Sequence, residues 1–246
     1  MNKADKNDVV RGVYSNKLMV YTRDTNDKKW GLSVSVPDPS AVFKCELASK
    51  LSAAGIAVGT EQHAKNGAET LLYAHKSPSY SEIMHSLMVR SDNMFAEGML
   101  RSIMPAETRH NAIKREKELW SERGIDARNT IINDGSGLTR ANRISARFIG
   151  DVLEYMANSP YASTYTSFFP RVGKEGTVKS FLEKTPLVGA LALKTGSVSS
   201  VQAYAGYKLD SDGTPTHVVV ILVNGFFCPR KQVREASENL LLDFFN

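Results

Sequence analysis

Residues 189–224 read GALALKTGSVSSVQAYAGYKLDSDGTPTHVVVILVN, and the architecture of the chain follows from this run. Strand formers crowd into three segments, Gly189 to Lys194, Val201 to Leu209 and His217 to Asn224, each of strand length. Between the second and third lies Asp210-Ser211-Asp212-Gly213-Thr214, a connection of the hairpin type with its glycine in place. An antiparallel sheet is therefore expected, with Lys194-Thr195-Gly196-Ser197 at the end of its first strand. Arg230 to Phe245 then reads as a helix able to cover one face of that sheet. The longest strongly apolar run, Val218 to Val223, is six residues, far short of the roughly 20 that a membrane-spanning helix needs.

Working towards the N-terminus, Ser145 is placed to cap a helix through Met156, and Asp134-Gly135-Ser136-Gly137 forms a turn-rich loop after a short strand, TIIN. A charged amphipathic helix is expected from Thr108 to Arg123, closed by Gly124. From Tyr80 to Met104, Ile83, Met84, Leu87 and Met88 and then Met94, Phe95, Met99 and Leu100 recur at helical spacing, with a break around Ser91-Asp92-Asn93. A strand is expected over Thr70 to Lys76. Asp38 and Pro39 suit the cap and first position of a helix carrying Val42, Phe43, Leu47 and Leu51 on one face and ending at Gly55. Before Pro37, residues 9–36 alternate in the manner of short strands or hairpins around the polar turn Asp24 to Lys29. A domain boundary is expected near Pro37.

The 246 residues, 42% hydrophobic and 23% charged, can bury a sizeable core and exclude disordered, collagenous and coiled-coil classes. The net charge of +5 is interspersed along the chain and is not gathered into a basic stripe with aromatics, so no nucleic-acid partner is expected. Cys45 and Cys228 lack CxxC spacing, leaving at most one bridge. His63, His75, His85, His110 and His217 never fall at HxxxH or HxH spacing, so neither a metal nor another cofactor is expected. The first thirty residues contain no apolar stretch of a secretory signal, which fits a cytoplasmic protein or a piece of an exported one.

Three segments are candidates for chemistry: Ser91-Asp92-Asn93, Asp134 to Arg140, and Lys194 to Ser197. Each alone has an ordinary explanation, respectively a helix cap, a turn and a solvated strand end. Together and in this order the chain resembles the penicillin-binding serine D-Ala-D-Ala carboxypeptidases, the low-molecular-mass type with a domain inserted into the transpeptidase-like domain. The resemblance rests on VSVPDPSAVFKCELASKLSAAGI, LMVRSDNMFAE, INDGSGLTRANRIS and ALKTGSVSSVQAYAGY. A class A β-lactamase fits less well, because the β-rich stretch before Pro37 and the DGSGLTR loop resemble the inserted-domain carboxypeptidases.

The resemblance implies an α/β (α+β) fold of the penicillin-binding, serine β-lactamase-like kind, an antiparallel sheet flanked by helices. Residues 1–36 are then the C-terminal remnant of the inserted β-rich domain, and residues 37–246 a transpeptidase-like domain incomplete at its N-terminal part. It further implies catalytic roles for Ser91, Asn93 and Lys194. Ser91 would pass a proton to the leaving amine, Asn93 would bind the peptide amide, and Lys194 would supply a fixed positive charge that attracts the substrate's carboxylate and holds Ser91 in a hydrogen-bonded chain. Thr195, Gly196 and Ser197 would bind substrate, the hydroxyls holding the terminal carboxylate, the glycine admitting the peptide backbone, and the Ser197 N–H forming half of the oxyanion hole. The peptide would lie along this strand as an added strand. Ser136, Leu138 and Arg140 would line the pocket for the peptide side chain, and Asp92 would be structural.

One departure from the family pattern is decisive. None of the 24 serines has a lysine three positions on. The family's Ser-x-x-Lys nucleophile motif is absent, and in the family it precedes the inserted domain. The chain is therefore expected to be the C-terminal part of a serine-type carboxypeptidase, with or without endopeptidase action, whose remaining part supplies the nucleophile; alone it is expected to be inactive. The partners so implied are stem peptides ending in D-Ala-D-Ala and, for the longer protein, β-lactams, in an extracytoplasmic setting. The alternative is a non-catalytic homologue or fragment that binds such peptides reversibly, or a structural product with no activity.

Overall fold

The computed structural model describes residues 8–11, 18–21, 38–57, 71 and 73–245. The chain divides into two compact units, Met1–Tyr73 and Ala74–Asn246.

In the first unit β1 (Asp8–Arg11) and β2 (Leu18–Tyr21) pair antiparallel, Asp8 opposite Tyr21 and Arg11 opposite Leu18. This agrees with the hairpin expected near the N-terminus; the turn at Asp24 to Lys29 and the β-formers after it lie outside the described residues. Helix α1 (Pro39–Ala53) begins as expected, with the Asp38 carboxylate accepting from the Ala41 N–H at 2.9 Å and proline at the first position. It stops before Gly55, which takes φ +75°.

The second unit contains the expected three-stranded antiparallel sheet, in the order β3 (Leu191–Val198), β4 (Val201–Leu209) and β5 (Pro215–Asn224). Strand β3 runs on past Lys194, which corrects the placement of Lys194 at a strand end. The extension occurs because Thr195, Gly196, Ser197 and Val198 find ladder partners in Tyr204, Ala203, Gln202 and Val201. The Asp210 carboxylate closes the β4–β5 connection by accepting from the N–H groups of Asp212 and Thr214 at 3.0 and 2.8 Å.

Both faces of the sheet are covered. Leu191 and Leu193 point to one side, where they pack with Phe181, Tyr204, Val219 and Leu241 of α7 (Arg230–Phe245). The Phe181 and Tyr204 rings stack at 4.3 Å between centroids. Ala192, between them, points to the other side, into a cluster with Tyr207, Leu209, Phe169 and Leu153 of α5 (Ala146–Ala157). The alternation along β3 puts Lys194 and Gly196 on the Ala192 side and Thr195 and Ser197 on the Leu193 side.

The helical part comprises α2 (Tyr80–Arg90), α3 (Asn93–Ser102), α4 (Arg109–Glu122), α5 and the short α6 (Ala162–Ser167). Ser79 and Glu82 form a reciprocal capping box on α2, and Thr108 and Ser145 cap α4 and α5. A 3₁₀ turn, η1 (Gly176–Val178), connects this part to the sheet. Two expected strands are absent. The described residues of 70–76 form none. The TIIN segment makes only a single bridge, Ile131 to Arg143. Among the described residues no helix is long and apolar enough to cross a membrane, and Cys45 and Cys228 are both free and exposed.

Candidate active site

Helix α2 ends where Ser91 turns left-handed at φ +55°, ψ +51°, so that the Asp92 N–H bonds back to the Leu87 carbonyl at 3.2 Å. A serine held there costs about 1–2 kcal/mol relative to glycine, and such strain is retained where the side chain must face a particular direction. Asp92 opens α3, its carboxylate accepting from the N–H groups of Met94 and Phe95 at 3.0 and 3.2 Å. The capping reading of the SDN segment is thus correct for Asp92, while Ser91 is free to turn towards the sheet. Asn93, the first residue of α3, is exposed.

Lys194 reaches Ser91 from β3. Its ammonium donates to Ser91 Oγ at 2.7 Å and to the Thr195 carbonyl at 2.7 Å, joining residues 103 positions apart. Burial pushes the Lys194 amine below the ordinary lysine range. Both of its acceptors are uncharged, so one of the three ammonium hydrogens remains for a further acceptor. Gly196 and Ser197 are exposed beyond it. A Cβ built on Gly196 would meet nothing closer than the Ala203 Cβ at 3.5 Å, an ordinary contact. The fold itself does not require glycine at this position; what the missing side chain leaves open is space outside the strand.

The DGSG loop is built around two carboxylates. Asp134, buried, accepts from the N–H groups of Gly137 and Thr139 at 3.0 and 2.7 Å, from Asn142 Nδ2 at 2.8 Å and from the Thr139 hydroxyl. Glu97 of α3 accepts from Ser136 N at 3.1 Å and Ser136 Oγ at 2.7 Å. Burial alone would raise both carboxyls; these hydrogen bonds outweigh it and hold both below their ordinary values. The Ser136 hydroxyl is therefore committed to Glu97, whereas Leu138 and Arg140 stand exposed on the loop surface. Gly135 lies so close to α3 that a Cβ would fall 2.5 Å from the Ala96 carbonyl oxygen. On the sheet side, Thr195 Oγ1 lies 2.8 Å from Thr177 Oγ1 of η1.

The structure thus joins Ser91 to Lys194, sets Thr195 beside Lys194 along β3, and anchors the Ser136 loop to the same α3 that Asn93 opens. Glu97 and Thr177 were not singled out from the sequence. Glu97 stands four residues after Asn93 on the same helical face, a spacing that gave a usable signal. Thr177 gave none, because its partner is fixed only by tertiary packing.

A three-stranded antiparallel sheet with helices on both faces, approached by a left-handed serine from the helical side, places this chain among proteins of the penicillin-binding fold. The family model described as D-Ala-D-Ala carboxypeptidase 3 (S13) matches residues 2–241, and the chain belongs to that family. It is 32% identical over 152 residues to a D-alanyl-D-alanine carboxypeptidase of Actinomadura sp. (strain R39), covering 58% of this chain and 28% of that protein. It is 28% identical over 211 residues to the D-alanyl-D-alanine carboxypeptidase DacB of Haemophilus influenzae, covering 81% of this chain and 43% of that protein. The crystal structure of penicillin binding protein 4 (dacB) from Haemophilus influenzae superposes with a TM-score of 0.78 at 25% identity, over 98% of this chain and 56% of that one. A second structure of that protein holds a β-lactam. The chain therefore spans less than half the length of these curated relatives.

Proposed function

We propose that this chain carries the leaving-group and carboxylate-binding side of a serine-type D-Ala-D-Ala carboxypeptidase that acts on peptidoglycan stem peptides, outside the cytoplasmic membrane where such peptides lie. One observation carries the reading: the 2.7 Å contact between Lys194 Nζ and Ser91 Oγ. A strand lysine with no carboxylate partner among the described residues, holding a strained serine hydroxyl, forms a proton-conducting pair beside an open strand edge.

In this reading a peptide lies along β3 by strand addition. Its terminal carboxylate is attracted by the Lys194 charge and received by the hydroxyls of Thr195 and Ser197, while the space left by Gly196 admits its backbone. The Ser197 N–H donates to the carbonyl oxygen as charge develops on it in the tetrahedral intermediate. Ser91, its hydroxyl oriented by the Lys194 ammonium, delivers a proton to the departing D-alanine nitrogen. Asn93 binds the peptide amide with its donor and acceptor, and Leu138 and Arg140 meet the stem side chain. The attacking hydroxyl comes from a Ser-x-x-Lys segment outside these 246 residues, where it also supplies the second oxyanion donor. Deacylation by water then releases the shortened stem.

Fluorescent penicillin tests this directly. The chain by itself takes no covalent label, whereas a protein joining it to the family's Ser-x-x-Lys segment is labelled on that serine and releases D-alanine from a D-Ala-D-Ala peptide. Label on a serine of this chain would overturn the assignment. The absence of any serine three residues before a lysine also favours a second reading, a reversible binder of D-Ala-D-Ala peptides; it predicts binding without turnover in either protein.

A further inference from the structure

Thr177 is an exposed residue that adds nothing to the core, yet its backbone is fixed on both sides. Gly176, left-handed at φ +57°, packs so close to the last turn of α2 that a Cβ would lie 2.6 Å from the Val89 carbonyl oxygen. Val178, on the other side, is fully buried and its carbonyl accepts from the Gly173 N–H at 3.0 Å. The turn is thereby clamped between α2, which ends in Ser91, and β3, which carries Lys194. Its hydroxyl has a single hydrogen-bond partner among the described residues, Thr195 Oγ1 at 2.8 Å, and Thr195 Oγ1 has no other either.

Each hydroxyl has one hydrogen and two lone pairs. A threonine that donates to its neighbour has no hydrogen left for a ligand, and one that accepts from its neighbour does. Hydroxyls in series also polarise one another, so a donor behind Thr195 strengthens the bond it gives in front. We propose that Thr177 is a positioning residue for Thr195: with peptide bound, the Thr177 hydroxyl donates to Thr195 Oγ1, and Thr195 turns its own hydrogen to the terminal carboxylate. This rests on the carboxylate-binding role of Thr195 given under Proposed function. Thr177 itself does not touch the peptide; it sets which way the Thr195 hydrogen points.

The test is a set of titrations of the 246-residue chain with N-acetyl-L-Lys-D-Ala-D-Ala and with the same peptide as its C-terminal carboxamide. Thr177→Val is expected to weaken binding of the carboxylate peptide about 3- to 10-fold, the loss of one hydrogen bond to a charged acceptor at one remove. Thr177→Ser restores it. The carboxamide binds wild type and Thr177→Val alike, and adding Thr177→Val to Thr195→Val costs nothing further, because the effect passes through Thr195. If wild type binds the carboxylate peptide and Thr177→Val binds it equally well, or if Thr177→Val weakens the carboxamide by the same factor, the role of Thr177 is overturned and the proposed function stands. If wild type shows no preference for the carboxylate over the carboxamide, both are overturned.

Discussion

Replacing Asp134 by asparagine exchanges one oxygen for an NH₂ group in a loop where both oxygens accept. Oδ1 receives the Gly137 N–H and Asn142 Nδ2, and Oδ2 receives the Thr139 N–H and hydroxyl. Either orientation of the amide turns two donors towards a backbone N–H that also donates. At least one N–H of the loop then loses its acceptor, which costs about 1–3 kcal/mol, and the surviving bonds lose their charge assistance. A total of about 2–3 kcal/mol is expected at pH 7. At roughly 2–4 °C per kcal/mol for a unit of this size, the midpoint of thermal unfolding falls by about 4–12 °C, read by circular dichroism. The pH dependence carries a sign. Because the folded carboxyl is held below its ordinary value, its stabilisation is complete above the unfolded value of about 4 and is lost as pH falls through the folded one. The difference between wild type and Asp134→Asn is therefore constant from pH 7 to about 5 and narrows below about 4. A variant within 1 °C of wild type at pH 7, or a gap that widens towards acid, would refute the reasoning.

The two glycines beside the site are expected to behave oppositely. Gly176→Ala places a Cβ 2.6 Å from the Val89 carbonyl at a left-handed φ and should lower stability in urea by about 2–4 kcal/mol. Gly196→Ala, which meets only Ala203 at 3.5 Å, should stay within about 0.5 kcal/mol of wild type while weakening the binding of a D-Ala-D-Ala peptide; the reverse pattern would contradict the placement of free space outside β3. Lys194, its amine lowered by burial, binds fewer protons than the unfolded chain between its folded value and about 10.4. Over that window wild type gains stability relative to Lys194→Met as pH rises, measured by urea unfolding from pH 8 to 10.5; a flat difference would place the amine in solvent.

How much of this was legible in the sequence differs by level. The sheet, α7 and the paired helices around Ser91 could be read because their apolar periods are strong, and the starts of α1 and α5 because Asp38 and Ser145 are ordinary capping residues in ordinary positions; the Ser79 cap of α2 was not singled out. The strand expected at residues 70–76 failed because strand propensity carries no information about whether a partner lies alongside. For the same reason β3 was read too short: Thr195-Gly196-Ser197 is a weak strand by composition and is held straight by β4. At the site, the family motifs pointed to Ser91 and Lys194 and to the hydrogen-bonded chain that joins them, a contact between residues 103 positions apart that spacing alone does not show. Asp134 opens a loop that the motifs single out, but nothing in the sequence marks its carboxylate as the acceptor that folds that loop, and Glu97 is signalled only by its spacing from Asn93. Thr177 was invisible, since only the packing of Gly176 against Val89 brings it to Thr195.

Whether Ser91, Lys194 and the Thr195–Ser197 strand together receive a stem terminus can be settled by amide chemical-shift mapping on the ¹⁵N-labelled chain titrated with N-acetyl-L-Lys-D-Ala-D-Ala. The expected result is saturable shifts confined to Ser91, Asn93, Thr195, Gly196, Ser197 and their neighbours, abolished by Lys194→Ala. Saturable shifts on another surface, or a response that survives Lys194→Ala undiminished, would contradict it.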